Sequence, residues 1–411
     1  MPPRILILSA SVGAGHIRAA QALELTLKSL SPEPHVRNVD ILDHATAAFR
    51  RIYAKSYFDL VNKAPHLLGW IYDFTDTPTT ANRTDRFRLL LQRLNLRGIN
   101  KLLLGDASPS KTRSRFKRRR TTSSSAHASS AWDCILCTHF LPAEIIARLR
   151  RKKLWPDIPV HTIVTDFDAH GMWVNHPIGS TDRFFVATDD AALSLQRFNV
   201  PASQIQITGI PIHPDFSKPC TVQAARKKLD LPTNRHVILL LAGGFGLGPI
   251  QRLFESALQT KLSSSSRTSQ GIHLCVIAGK NEKLKRSLEK TAVPHPHSAT
   301  IVGFTTEMDQ YMAAADLVVS KPGGLTTSEV LARGAAMVIV NPIPGQESRN
   351  SDFLLENGAA VKINSADALP HKLALLLSNP QRLASLRAAA RRLGRPNAAI
   401  EIVNTALTTQ A

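Results

Sequence analysis

The chain has 411 residues, a hydrophobic fraction of 43%, four cysteines and a formal net charge of +20. This length suits two domains with separate cores, and no stretch reaches the roughly 18–20 consecutive apolar residues of a membrane-spanning helix. The few cysteines fit the reducing cytoplasm. The excess positive charge predicts attraction to polyanions, which leaves nucleic acid and anionic bilayers as candidate partners.

The first predicted strand ends in a glycine turn that delivers a histidine to a helix. Residues 4–8 read RILIL, and residues 9–16 read SASVGAGH before an amphipathic helical pattern. Gly13 and Gly15 allow the backbone to pass close to a ligand, and His16 would project toward it. Its neutral imidazole is a candidate general base, although a histidine without a chemical role at a helix start also fits. Arg18 stands where a dinucleotide-binding G-x-G-x-x-G turn needs its last glycine.

The segment from residue 45 to residue 131 departs from the alternation of strands and helices. Residues 45–104 place aromatic and basic side chains at helical spacing, which predicts either an amphipathic segment on a membrane surface or core helices with solvated outer faces. The residues that carry this pattern are Phe49, Arg50, Arg51, Tyr53, Lys55, Phe58, Trp70, Tyr72, Phe74, Arg83, Arg86 and Arg88. Residues 105–131 are rich in Ser, Lys and Arg, and we expect a disordered basic insert there.

Strands resume at residues 132–139, 159–166 and 183–188, with helical patterns between them. Cys134 and Cys137 form a C-x-x-C pair inside the first of these apolar runs. Because no second ligand pair follows, we interpret them as buried strand thiols rather than a zinc or redox pair.

The stretch TDFDAHGMWVNHP at residues 165–177 follows a predicted strand, so its polar side chains should point into a cleft. Asp166 is a candidate to orient or polarise a base, with Asp168 and His170 beside it, and Trp173 can rest on acyl chains or a sugar face. Alternatively, Asp166 caps a helix and Trp173 packs in the core. Asp166 and Asp168 also have the spacing of a metal-binding D-x-D motif.

The second half contains two further glycine turns after predicted strands. Gly243, Gly244 and Phe245 precede a helix whose N-terminus can bind a phosphate, although no G-K-[ST] of a P-loop follows. Hydroxyls and free amides at the third turn suit a pyrophosphate, and a carboxylate one turn later can accept ribose hydroxyls; a simple capping box is the alternative. The residues of that third turn are Lys321, Gly323, Gly324, Thr326, Thr327 and Glu329.

The loop at residues 341–350, NPIPGQESRN, offers amides and a carboxylate of the kind that a hexose needs for its hydroxyls; an ordinary polar loop is the alternative. Its candidate ligand-binding residues are Asn341, Gln346, Glu347 and Asn350. The repeated strand–helix alternation predicts an α/β protein with two doubly wound, Rossmann-like domains facing across a cleft. We expect an N-terminal domain over 1–212, a C-terminal domain over 213–390 and a final helix over 391–411 that crosses back.

These motifs, in this order, resemble two-domain GT-B glycosyltransferases of family 28, in particular monogalactosyldiacylglycerol synthases and bacterial processive diacylglycerol glucosyltransferases. The motifs that carry the resemblance are GAGHIRAA, VTDFDAHGMWVNHP, FFVATDDA, ITGIPIHPDF, AGGFGLG and the run from VGFTTEMDQ through KPGGLTTSE to NPIPGQESRN. The resemblance implies that the C-terminal domain binds a UDP-sugar and the N-terminal domain binds a lipid.

The resemblance also implies individual roles. Gly244 and Thr326 would lie near the diphosphate, while Phe304, after Gly303, would hold the uracil through its backbone. Glu329 would bind the ribose, and Gln346 with Glu347 would bind the hexose. His16 would be the base or an acceptor-binding group.

We therefore expect an inverting hexosyltransferase that uses UDP-glucose or UDP-galactose, without cofactor or metal, and acts on diacylglycerol. It would be cytoplasmic and peripherally bound to the anionic inner face of the cell membrane. The alternatives are a transferase for another lipid-linked acceptor, of cell-wall precursor or lipid A type, an epimerase on UDP-GlcNAc, and a non-enzymatic polyanion-binding protein. No RRM, KH or helix-turn-helix pattern occurs, so nucleic acid is not an expected partner.

Overall fold

A computed structural model of the chain describes residues 2–46, 50–51, 69, 76, 132–151, 153, 158–174, 181–243, 249–262 and 271–408. The 105–131 insert, Gly244, Phe245 and most of the aromatic and basic segment over 45–104 lie outside the described residues. No helix within the described ranges has both the length and the apolar character that crossing a bilayer requires.

The N-terminal domain is built on a parallel six-stranded sheet in the order β2-β1-β3-β4-β5-β6. Its strands are β1 (Arg4–Ser9), β2 (His35–Asp40), β3 (Cys134–Cys137), β4 (Val160–Ile163), β5 (Arg183–Val186) and β6 (Ile205–Ile207). Its helices are α1 (Ala14–Lys28), α2 (Phe140–Arg151) and α3 (Asp189–Arg197). Cys134 and Cys137 are buried in β3 and pack into clusters on opposite faces of the sheet, which confirms them as strand thiols.

The C-terminal domain contains a second parallel six-stranded sheet, in the order β12-β11-β10-β7-β8-β9. Its strands are β7 (His236–Leu241), β8 (Ile272–Ile277), β9 (Ser298–Val302), β10 (Leu317–Ser320), β11 (Ala336–Ile339) and β12 (Ala360–Lys362). The helices that follow β6 are α4 (Val222–Lys228), α5 (Ile250–Ala257), α6 (Glu282–Glu289), α7 (Met308–Ala314), α8 (Gly324–Ala332), α9 (Gln346–Glu356), α10 (Leu369–Leu377), α11 (Pro380–Leu393) and α12 (Ala398–Thr408).

Both sheets are covered on both faces, so their inner strands are buried and largely apolar. All six residues of β8 are buried, as are five of the six in β1 and in β7. Side chains alternate between the two faces, so a strand buried on both faces is mostly apolar along its whole length, with His161 in β4 and His273 in β8 as buried polar exceptions. The two sheets with their helices confirm the predicted two-domain, Rossmann-like α/β fold.

Each sheet has a point where the strand order reverses, and the two points position the functional site. The reversal lies between β1 and β3 in the first sheet and between β7 and β10 in the second. Ligands of doubly wound folds bind at the carboxyl ends of strands beside such a point. The glycine turns after β1, β7 and β10 all emerge there.

The last helix, α12, returns to the N-terminal domain. Ala399, Ile402 and Val403 of α12 belong to the same buried cluster as Ile5 of β1 and Leu23 of α1. The chain therefore passes between the domains twice, once after β6 and once after α11. The domain limits at residues 212 and 390 remain predictions.

Candidate active site in the interdomain cleft

A cavity of about 210 Å³ lies between the two domains, where both points of strand reversal meet. Its N-terminal wall consists of Val12, Gly13, Ala14, Gly15, His16, Arg18, Thr165 and Asp166. Its C-terminal wall consists of Ala242, Gly243, Ser320, Lys321, Gly323, Gly324, Leu325, Thr326, Ile343, Gln346 and Glu347. The cavity thus brings together most of the residues predicted from the glycine turns and from the GQE loop.

The first turn of α1 enters the cavity because its glycines permit a close approach. Gly13 is the N-cap in an extended conformation and provides no side-chain cap. A Cβ atom on Gly15 would lie 3.4 Å from Cδ2 of Leu325 in the facing domain. The turn places His16 directly in the wall of the cleft.

His16 is held in one orientation by the strand ends behind it. Its Nδ1 lies 2.9 Å from the carbonyl oxygen of Thr138 and 2.9 Å from Oγ1 of Thr165. A carbonyl only accepts hydrogen bonds, so Nδ1 carries the proton and Nε2 is left as the basic nitrogen. Burial lowers the pKa of His16 to about 4, which keeps the imidazole neutral at physiological pH.

Asp166 follows β4 and shares the cavity wall with His16. Burial raises the pKa of its carboxyl to about 7; the hydrogen bond from Asn350 opposes this shift, and the charges of Glu347 and Asp168 add to it. The cavity therefore contains an imidazole whose pKa is lowered and a carboxyl whose pKa is raised. Titratable pairs separated in this way are typical of sites of proton transfer.

The N-terminus of α8 forms the opposite wall. Gly323 caps the helix without a side-chain hydrogen bond, and a Cβ atom on Gly324 would overlap the carbonyl oxygen of Thr165. The first amides of a helix have no intrahelical partners, and together with Lys321 and Thr326 they form a wall suited to an anion. This is the arrangement that a diphosphate requires.

The first turn of α9 adds an amide and a carboxylate to the same wall. Oε2 of Glu347 accepts a hydrogen bond of 2.7 Å from the amide of Ile343, which fixes the carboxylate beside Gln346. Burial raises the pKa of Glu347. Two polar groups next to an anion-binding helix end are suited to a hydroxyl-rich ligand.

Several predicted acceptor-side residues lie behind the cavity rather than in its wall. Asp168 accepts a hydrogen bond of 2.6 Å from Ser194 and forms an ion pair of 2.9 Å with Arg349. Trp173 is 1% exposed and packs against Phe140 in the core, as the alternative interpretation had it. His170 is also buried beside Trp173. Among the described residues, no group of three His, Cys, Asp or Glu side chains is arranged to hold a metal ion.

Predicted donor-side residues also divide between the cavity and its surroundings. Glu329 is 1% exposed and forms an ion pair with Arg18 across the cleft. Burial raises the pKa of Glu329, and Arg18 opposes that shift. Thr327 and Asn350 are fully buried. Gly303, Phe304 and Asn341 lie outside the cavity wall, and Phe304 is 65% exposed with Nζ of Lys280 at 5.6 Å from its ring centre.

Sequence reasoning missed three residues that shape this site. Arg18 lines the cavity, Thr165 contacts His16, and Arg349 binds Asp168. Arg18 lies in the first turns of α1, but the sequence pattern marked it only as the residue in place of the last glycine of a G-x-G-x-x-G turn. Thr165 and Arg349 lie inside the stretches at 165–177 and 341–350, but nothing in the local pattern distinguished them, because their partners are distant in the sequence.

Two family models match the chain. The model for monogalactosyldiacylglycerol (MGDG) synthase matches residues 127–212, and the model for the glycosyltransferase family 28 C-terminal domain matches residues 238–401. The chain is 29% identical to a processive diacylglycerol beta-glucosyltransferase of Bacillus cereus, over 98% of this chain and 93% of that protein. These matches confirm the predicted resemblance.

Solved structures share the fold at low sequence identity. MurG of Acinetobacter baumannii is 16% identical with a TM-score of 0.58, covering 99% of this chain and 100% of that one. A UDP-GlcNAc 2-epimerase of Neisseria meningitidis, solved with UDP-GlcNAc bound, is 12% identical with a TM-score of 0.52, covering 98% and 99%. The fold therefore occurs in an epimerase as well, so the reaction must be argued from the site.

Proposed function

We propose that this chain, a member of glycosyltransferase family 28 and a UDP-sugar hexosyltransferase, transfers a hexose from UDP-glucose or UDP-galactose to the hydroxyl of diacylglycerol. The observation that carries the proposal is the cleft itself. His16 and Asp166 line it on one side and the N-terminus of α8 lines it on the other, which supports the proposal. An acceptor hydroxyl and a leaving diphosphate need these two environments on opposite sides of one sugar.

The donor would lie along the C-terminal wall. Its diphosphate would contact the first turn of α8 and Lys321, where the helix dipole stabilises the charge that develops as UDP leaves. Gln346 and Glu347 would bind the hexose. Glu329 would accept a hydrogen bond from a ribose hydroxyl, since its Oε2 has no hydrogen-bond partner among the described residues. The roles of Gly303 and Phe304 at the uracil remain predictions.

The acceptor would enter from the N-terminal wall. The acceptor hydroxyl would donate its hydrogen bond to the carboxylate of Asp166, which would take the proton, and His16 would contact the acceptor beside it. The hydroxyl oxygen then bonds to the anomeric carbon as the bond to UDP breaks on the opposite face, which inverts the configuration. A carboxyl with a pKa of about 7 is matched to proton transfer near neutral pH.

The reaction would take place at the anionic inner face of the cell membrane. A net charge of +20 supports this location, since each Lys or Arg near an anionic bilayer contributes about 1 kcal/mol of attraction. The proposal includes no metal ion or cofactor.

The test incubates the purified protein with diacylglycerol vesicles and radiolabelled UDP-glucose or UDP-galactose, with and without EDTA. Labelled glycolipid from one donor, unaffected by EDTA, is the expected result. Labelling only of a lipid-linked cell-wall precursor would contradict the acceptor, and conversion of UDP-GlcNAc to its 2-epimer would contradict the reaction class. The same assay with Asp166→Asn should show a lower rate. Asp352→Asn makes the same chemical change at an exposed position of α9 and serves as its control.

A further inference from the structure

Two consecutive residues of α9 bind three consecutive residues of the other domain. Nη1 of Arg349 lies 2.9 Å from Oδ2 of Asp168. Oδ1 of Asn350 accepts a hydrogen bond of 2.8 Å from the amide of Phe167, and its Nδ2 donates to Oδ1 of Asp166 at 3.3 Å. The donor domain thus holds the D-x-D stretch by its side chains and its backbone.

The carboxamide of Asn350 is committed to these contacts. Nδ2 also donates to the carbonyl oxygen of Pro322, at 3.0 Å, in the loop that leads to α8. The amide of Phe167 needs an acceptor and the carbonyl of Pro322 needs a donor, so the partners fix the orientation of the carboxamide. Asn350 is 0% exposed and both of its N–H bonds are used, so it has none left for a sugar.

We propose that Asn350 is a positioning residue that orients Asp166 and favours its ionised form through a hydrogen bond between the two domains. This inference rests on the proposed function, in which Asp166 takes the acceptor proton. Asn350 belongs to the C-terminal domain and Asp166 to the N-terminal domain, so the bond forms only where the two domains meet. One side chain therefore connects the loop at Pro322 with the carboxyl of Asp166.

The other charged groups near Asp166 give Asn350 a distinct effect. The negative charges of Glu347 and Asp168 disfavour ionisation of Asp166, and Arg349 is engaged with Asp168. Lys321 and the neutral His16 line the same cavity. Among the contacts described, Asn350 donates the hydrogen bond to the Asp166 carboxylate, so its removal should shift the titration of Asp166 to higher pH.

The test compares Asn350→Asp with Asn357→Asp, which makes the same change at the C-cap of the same helix, where the side chain bonds only to the carbonyl of Phe353 among the contacts described. Asn350→Asp creates a carboxyl pair with Asp166. The acid limb of kcat/KM should move up by about one pH unit or more, with a smaller change in KM for the UDP-sugar. Asn357→Asp should leave the limb in place.

A second measurement does not depend on turnover. The carboxyl carbon of Asp166 is followed by NMR in protein with 13C-labelled aspartate, with Asp166→Asn for assignment, in the wild type, Asn350→Asp and Asn350→Ala. A higher titration midpoint in either folded variant supports the inference, and an unchanged midpoint in both overturns it. If the midpoint moves while the wild type glycosylates no diacylglycerol, only the proposed function fails; if glycolipid forms and the midpoint stays, only this inference fails.

Discussion

The first turns of α1 and α8 use the same backbone arrangement for opposite chemistry. Each helix starts at a glycine N-cap without a side-chain cap, and each follows a strand at a point where the strand order reverses. The first turn of α1 offers a neutral imidazole, whereas that of α8 offers amides and a hydroxyl. The glycine turn therefore provides only the approach, and the residues after it decide whether the turn presents an imidazole or a set of hydrogen-bond donors.

The largest expected effect comes from removing the proposed proton acceptor, Asp166, from the N-terminal wall of the cavity. Asp166→Asn should lower kcat by about 10²- to 10⁴-fold while UDP binding on the α8 side is retained. In the wild type a base must be ionised, so kcat/KM should fall as the pH drops below about 7, where Asp166 becomes protonated. Initial rates between pH 4 and pH 9 and calorimetric titration with UDP measure both.

A different pH dependence of the rate at low pH would exchange the roles proposed for Asp166 and His16. His16 has a pKa of about 4, so a rate that stays constant down to about pH 5 would make His16 the base and Asp166 its partner. Retention of full activity by Asp166→Asn would give the same answer.

The next effect tests the approach of the two turns. Gly324→Ala places a Cβ atom against the carbonyl oxygen of Thr165, so α8 must move away from the N-terminal wall. We expect kcat/KM to fall on the order of 10²-fold, since small displacements of reacting groups are costly. Gly15→Ala is the matched change on α1, where the new atom meets only the side chain of Leu325 at 3.4 Å. Equal losses in the two variants would contradict the distinction.

The smallest effect concerns the ion pair that joins the two helices. Arg18→Met leaves the carboxylate of Glu329 buried without its partner, which should lower the free energy of unfolding by about 1–3 kcal/mol. Urea denaturation measures this change, and the exposed Arg37→Met serves as the control. A loss no larger than that of Arg37→Met would show that the pair contributes nothing to stability.

The sequence was sufficient to predict the fold and the walls of the cleft. Apolar runs that end in glycine turns identify parallel strands, and the carboxyl ends of such strands define where a ligand binds. Gly13, His16, Lys321 and Gly324 could be located for that reason, without knowledge of the pairing between strands.

The contacts between the domains could not be predicted in this way. Glu329 bonds to Arg18, and Asn350 bonds to Asp166, across sequence separations of 311 and 184 residues. Local patterns contain no information on such partners. Trp173 illustrates the same limit, because an aromatic residue after a strand end is equally compatible with a ligand wall and with the core that it occupies.

The return of α12 to the first sheet has a practical consequence for how this enzyme can be divided. Expression of residues 1–212 alone would leave the surface around Ile5 and Leu23 without the aliphatic side chains that cover it, and would favour aggregation. A nested deletion series from the carboxyl terminus would damage the N-terminal domain before the C-terminal domain. A permuted gene that begins with α12 and continues into β1 would keep each lobe contiguous.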